Sequence, residues 1–184
     1  MRQLILSMAM SLDGFIERPG GEFVPPPWCD ELEAYSHQVT EEAGLLVYGR
    51  GCFEMMRAFW DDPQGPAKDM TLTPKINAKP KVVFSSSLPD EPGWNGAVLR
   101  GDPASEIARL KAQPGADLMF FGGAEMAWSL MAADLIDEYR FMLSPQLYGE
   151  GKPLFGPGRP QADLRLITAR PVSSGVTILI YRPA

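Results

Sequence analysis

Apolar residues run almost without alternation from residue 3 to residue 10, the pattern of a strand covered on both faces. Short apolar runs at 45–48, 81–84, 96–100 and 117–121 predict four more strands. Helical spacing fills most of the gaps. Asp30 is read as the cap of a helix reaching about Glu42, and further helices are expected over 52–59, weakly over 73–78, and over 104–113 behind Pro103. The pair Gly122-Gly123 turns the strand at 117–121 into a helix ending near Leu135, whose Met126, Leu130 and Met131 recur at core-facing positions. Closing strands are expected over 139–147, 164–169 and 176–182.

Strand and helix alternate through the first two-thirds, which favours a mostly parallel sheet covered on both sides. The last strands have only loops between them and suit antiparallel pairing. The expected fold is therefore α/β: three layers, a mostly parallel central sheet and an antiparallel C-terminal edge. A break within 61–80 would leave each half too small a core, so residues 1–184 are read as a single domain.

Charge narrows the partners. Seventeen Lys and Arg against 23 Asp and Glu give a net of −6, with no basic run anywhere, so neither a nucleic acid nor an anionic membrane is an expected partner. A small phosphorylated ligand remains compatible, since helix N-termini and one Arg suffice to hold it. Two cysteines and one histidine, His37, supply neither a disulfide framework nor a zinc cluster. The apolar N-terminus continues into SLDGF without a cleavage pattern, and the greasy stretch 118–136 contains Glu125 and Asp134. A soluble cytoplasmic protein without a metal is expected.

Two strand–turn–helix junctions carry candidate chemistry. In one, Gly122 and Gly123 precede the helix that begins with Ala124 and Glu125; in the other, Gly49 and Arg50 precede Cys52. Glycines allow close backbone approach, free N–H groups and the helix dipole attract phosphate, and a guanidinium clamps it. Ser85 and Ser86 end another strand and offer hydroxyls at the same sheet edge, where ligands of open α/β sheets bind. A nucleotide or dinucleotide fits this set, and a tight turn or an ordinary surface Arg would explain each junction taken singly.

Taken in order, SLDGFI, YGRGCFE, VVFSSSL, FFGGAEMAWSLMAADLIDEYRF and LSPQLYGEGKPLF resemble the dihydrofolate reductase superfamily. The similarity is greatest to the branch containing the C-terminal reductase domain of bifunctional riboflavin-biosynthesis deaminase-reductases and its stand-alone relatives, and spans roughly residues 3–181. The resemblance implies an NADPH-dependent reductase, commonly homodimeric, with the apolar strand at 176–181 as a candidate contributor to the dimer. It places Gly49 and Arg50 against the cofactor phosphates, Ser85 and Ser86 along its adenosine side, and Gly122, Gly123, Ala124 and Glu125 around the pyrophosphate. Ala9 would face the nicotinamide, the segment containing Asp13 would be a mobile loop over the site, and Gly149 and Gly151 would form a structural turn.

Three departures matter. Cys52 stands where many relatives have Thr, and a thiol at a helix N-terminus is open to acidification. The serine segment reads SSSL where relatives often have SRTL, removing one cation for a 2′-phosphate. The HxE and PCxxC zinc-deaminase signature is absent, so the bifunctional activity is not expected.

For proton delivery the candidates are Asp30 first and Asp13 second, although an N-cap and a turn explain these residues as well. His37 reads as a helix-surface residue. Trp28 and Trp60 flank the region expected to receive a heteroaromatic substrate, and core packing would also account for them. The function expected is hydride transfer to a small heterocycle, pterin-like or like a riboflavin-pathway pyrimidine. A non-catalytic nucleotide-binding module of the same fold is the alternative, and a pure assembly protein is a third.

Overall fold

A computed structural model describes residues 1–184. Eight strands form the main sheet, in the order β5-β4-β3-β6-β1-β7-β10-β9. They are β1 (Leu4–Ser11), β3 (Ala43–Gly49), β4 (Lys81–Phe84), β5 (Gly96–Leu99), β6 (Asp117–Phe120), β7 (Glu138–Ser144), β9 (Leu164–Pro171) and β10 (Thr177–Pro183). The first six in space, β5 to β7, run parallel, and β10 and β9 add the antiparallel edge.

The period of two along β1 explains the three layers. Leu4, Leu6, Met8 and Met10 point to one face and pack with α4 (Pro103–Lys111) and α5 (Ala124–Ala132), where Met126 and Leu130 are buried and Met131 half-buried. Ile5 points to the other face, under α1 (Asp30–Glu42), α2 (Arg50–Trp60) and α3 (Thr73–Ala78).

Several boundaries and roles differ from expectation. The N-cap of α1 is Cys29, in extended backbone, and Asp30 is the first helical residue. Strand β10 is interior to the sheet, with Ile178 and the preceding Val176 buried, so the exposed apolar edge belongs to β9, where Leu166 and Ile167 are 51% and 41% exposed. A small second ladder went unpredicted: β2 (Phe15–Glu17) pairs antiparallel with β8 (Lys152–Pro153).

The connection from β4 to β5 contains no helix. Trp94 within it is buried against Phe53 and Tyr48, with ring centroids 5.5 and 5.6 Å away. Phe121 stacks on Tyr48 at 6.0 Å. This aromatic block is a rigid support beneath the end of β3.

Candidate functional site

The connection leaving β3 leads through α2 towards β4, whereas the one leaving β6 leads through α5 to β7, on the other side. Strands β3 and β6 are neighbours, so their C-terminal ends form a switch point with helices on opposite faces, the place where open α/β sheets bind ligands. The two glycine junctions meet there. The Gly49 N–H donates to the Gly122 carbonyl at 3.3 Å across a gap of 73 residues.

Neither helix that starts here has a side-chain cap, since the N-caps are Gly49 for α2 and Gly123 for α5. The first-turn N–H groups at Arg50–Cys52 and Ala124–Met126 accordingly face outward without a protein acceptor. Gly122 and Gly123 adopt φ of +140° and +105°. A Cβ at Gly122 would lie 3.1 Å from the Met8 methyl and 3.5 Å from Cys52 Sγ, and nothing lies within 4 Å of a Cβ on Gly51. Backbone kept bare, uncapped helix starts and an adjacent guanidinium suit a pyrophosphate-bearing cofactor.

Above the junctions opens a cavity of about 1600 Å³. Ala9, Trp28, Gly49, Arg50, Cys52 and all four residues from Gly122 to Glu125 line it. Ser85 and Ser86 lie just outside at the end of β4, beside Gly49, with which Phe84 pairs. Ser85 Oγ accepts the N–H groups of Ser87 and Leu88. Arg50 reaches this segment, donating to Ser87 Oγ at 2.9 Å and to Glu54 at 3.2 Å. Glu125 is paired with Lys152 of β8, so the minor ladder closes one wall.

The thiol of Cys52 is not acidified. Its Sγ donates to the Phe121 carbonyl at 3.7 Å, and desolvation against the aromatic block raises its pKa to about 12, overriding the helix terminus.

The two carboxyl candidates sit elsewhere. Asp30 is exposed and does not line the cavity. Asp13 is also outside it: its carboxylate accepts from Ser11 Oγ at 2.6 Å and from the N–H groups of Tyr148 and Gly149, which hold its pKa down at about 2. At neutral pH Asp13 is an anion with no proton to give. The SLDGFI segment is pinned to the Gly149–Gly151 turn, where a Cβ on Gly151 would fall 2.1 Å from the Glu17 carbonyl.

Trp28 is 43% exposed at the rim and Trp60 lies inside, with Phe59 edge-on to it at 4.9 Å. His37 is outside, its Nε2 2.9 Å from Thr71 Oγ1. Met55, Met56 and Phe59 of α2, Pro66 and residues 69–72 also line the cavity, within the stretch 55–75 that the sequence points to for substrate contacts, and so does Glu33 of α1, which the sequence did not single out.

The protein YyaP of Bacillus subtilis, itself uncharacterized, is 30% identical over 182 residues, 98% of this chain and 94% of its own. Among solved structures, a Shewanella sp. PV-4 protein provisionally assigned to riboflavin biosynthesis superposes with a TM-score of 0.74 at 26% identity, over 99% of both chains. The deaminase/5-amino-6-(5-phosphoribosylamino)uracil reductase of Thermotoga maritima gives 0.69 at 16% identity, covering all of this chain and 57% of that one, a likeness of fold. The RibD C-terminal domain family matches residues 2–178. With that span, and with a dihydrofolate reductase-like sheet built around two bare junctions, the chain belongs to the RibD C-terminal domain family.

Proposed function

We propose that this protein is an NADPH-dependent reductase of a small heterocycle, with the cofactor lying across the β3/β6 switch point. The observation that carries the reading is the meeting of two uncapped, glycine-bearing helix starts, Gly49–Cys52 and Gly122–Glu125, at the mouth of one cavity. Membership of a family that includes riboflavin-pathway reductase domains supports the same chemistry.

Bound there, NADPH would supply a hydride to the substrate, and water in the open cavity would supply the accompanying proton. The chain's own work is positional. The N–H groups of Gly51, Cys52 and Ala124–Met126 hold phosphate oxygens, with the Arg50 guanidinium beside them. Ser85 and Ser86 border the adenosine end. Ala9 leaves room for the nicotinamide face on β1, and Trp28 with Trp60 flanks the substrate. The exposed apolar pair on β9 supports a homodimer formed through that edge, in place of β10. Light scattering would then give twice the chain mass of 20.2 kDa. Two unpaired thiols suit the cytoplasm, and no helix is long and apolar enough to cross a membrane.

Titration with NADPH, read by the emission of its nicotinamide, should saturate at micromolar cofactor, followed by NADPH oxidation with at least one member of a pterin, flavin and pyrimidine panel. Absence of binding at millimolar cofactor would overturn the reading. A binding module without turnover is the second reading. The displacement of both Asp13 and Asp30 from the cavity favours it, and saturable binding without oxidation on any panel member would establish it.

A further inference from the structure

The cavity has two unlike ends. Around the switch point it holds its only two cationic lining residues, Arg50 and Lys152, both already engaged: Arg50 with Glu54 and Ser87, Lys152 with Glu125. The far lobe lies between α1, α2 and residues 66–76. Met55, Met56, Phe59, Trp60, Met70 and Leu72 give it an apolar, polarisable wall. Its charged residues, Glu33 and Asp69, are both acidic.

No cation in that lobe is left to receive an anion, and three of its hydroxyls are spent. The Ser36 hydroxyl donates to the Leu32 carbonyl, Thr40 to the Ser36 carbonyl and Thr71 to Glu33, at 2.9, 2.8 and 2.5 Å. The helix start nearest to Trp28 is that of α1, and its first turn carries Asp30, Glu31 and Glu33. Three carboxylates cancel the positive end of the helix and repel a phosphate. A phosphate buried here would lose its hydration and gain no cation in return, and the unpartnered Tyr35 hydroxyl is a single neutral donor against two acidic side chains.

We propose, resting on the reductase reading above, that the substrate is an unphosphorylated heteroaromatic compound, neutral or weakly basic, bound between α1 and α2. This separates the chain from the Thermotoga maritima enzyme, whose reductase activity is named for a phosphoribosyl compound. The two proteins share a fold, and this substrate lobe selects against the group that the other substrate carries. Aromatic stacking on Trp60, methionine contacts and the Glu33 carboxylate facing ring N–H donors provide the recognition.

The test uses a ligand pair differing by one phosphate, riboflavin and riboflavin 5′-phosphate, added to NADPH-saturated protein and followed by flavin anisotropy. Riboflavin should bind about tenfold more tightly or better. Equal affinity, preference for the phosphorylated member, or binding of neither overturns the proposal. Asp69 is exposed, so Asp69→Lys preserves the fold. It should tighten the phosphate ester several-fold relative to riboflavin, and an unmoved ratio removes the far lobe as the discriminating element. Failure of NADPH to bind would defeat the reductase reading separately. The same flavin pair on the cofactor-free Arg50→Ala protein, which lacks the cradle's guanidinium, would still report on the lobe alone.

Discussion

The carboxylate of Asp13 accepts the backbone N–H of Gly149 at 2.7 Å, tying together chain segments 136 residues apart. The Tyr148 N–H shares the same carboxylate at 3.1 Å, and the β2/β8 ladder lies alongside. Asp13→Ala should therefore free the SLDGFI segment: amide exchange at Tyr148 and Gly149 speeds up, and that of Leu4–Leu6 in β1 does not. Ser11 and the two amides depress the Asp13 pKa to about 2, so its contribution is present above the ordinary carboxylate pKa of about 3.9 and is lost as pH falls through about 2. In the wild type, exchange protection at Gly149 should thus persist at pH 4.

Gly122 and Gly51 separate strain from occupancy. Gly122→Ala forces a side chain onto φ +140° and towards Met8, at an expected cost of about 1–3 kcal/mol in urea unfolding. Gly51→Ala meets nothing within 4 Å and should change stability by less than about 0.5 kcal/mol. Both substitutions should weaken NADPH. Loss of affinity in Gly51→Ala without loss of stability locates the phosphate path.

Cys52 should be a sluggish nucleophile. With its pKa raised to about 12, the thiolate is scarce at neutral pH, and iodoacetamide should alkylate it at least about tenfold more slowly than a free cysteine. Peptide mapping after timed labelling checks this, and fast labelling of Cys52 at pH 7 would contradict the desolvated geometry.

Lys81 is buried, 2% exposed, with Nζ donating to the Ile76 and Lys79 carbonyls at 2.8 Å and lying 4.4 Å from the centre of the Trp94 ring. Burial lowers its pKa to about 8. Between that value and the unfolded value of about 10.4 the unfolded chain binds more protons, so this group's contribution to stability rises as pH climbs from about 8 towards 10. Lys81→Met leaves the end of α3 with bare carbonyls, costs about 1–3 kcal/mol and abolishes that part of the pH dependence in chemical denaturation.

Local pattern carried most of the elements. The unalternated run in β1, Pro103 behind the capping Asp102, and the double glycine before α5 each announce structure within a few residues. Gly49, Arg50 and the Gly122–Glu125 run could be singled out because turn chemistry is written locally. The partners of Asp13 could not, since they lie 135 and 136 residues away and a lone Asp in a turn looks the same with or without them. Asp30 misled for a related reason: an acidic residue at a helix start serves as cap or as first residue, and only the backbone at Cys29 decides. The apolar stripe of α2 has one sequence pattern whether it faces a core or a cavity, so Met55, Met56 and Phe59 could not be assigned to the far lobe one by one.

Strand β6 enters the sheet late in the chain yet lies between β3 and β1, both made from the first 49 residues. Until it arrives, those two strands present raw, apolar hydrogen-bonding edges towards an unfilled slot. Pairing on both sides of that slot joins segments far apart in sequence, the kind of contact that slows folding. The ligand cradle, half of it carried in on the end of that wedge, is complete only when the last central piece has clicked home.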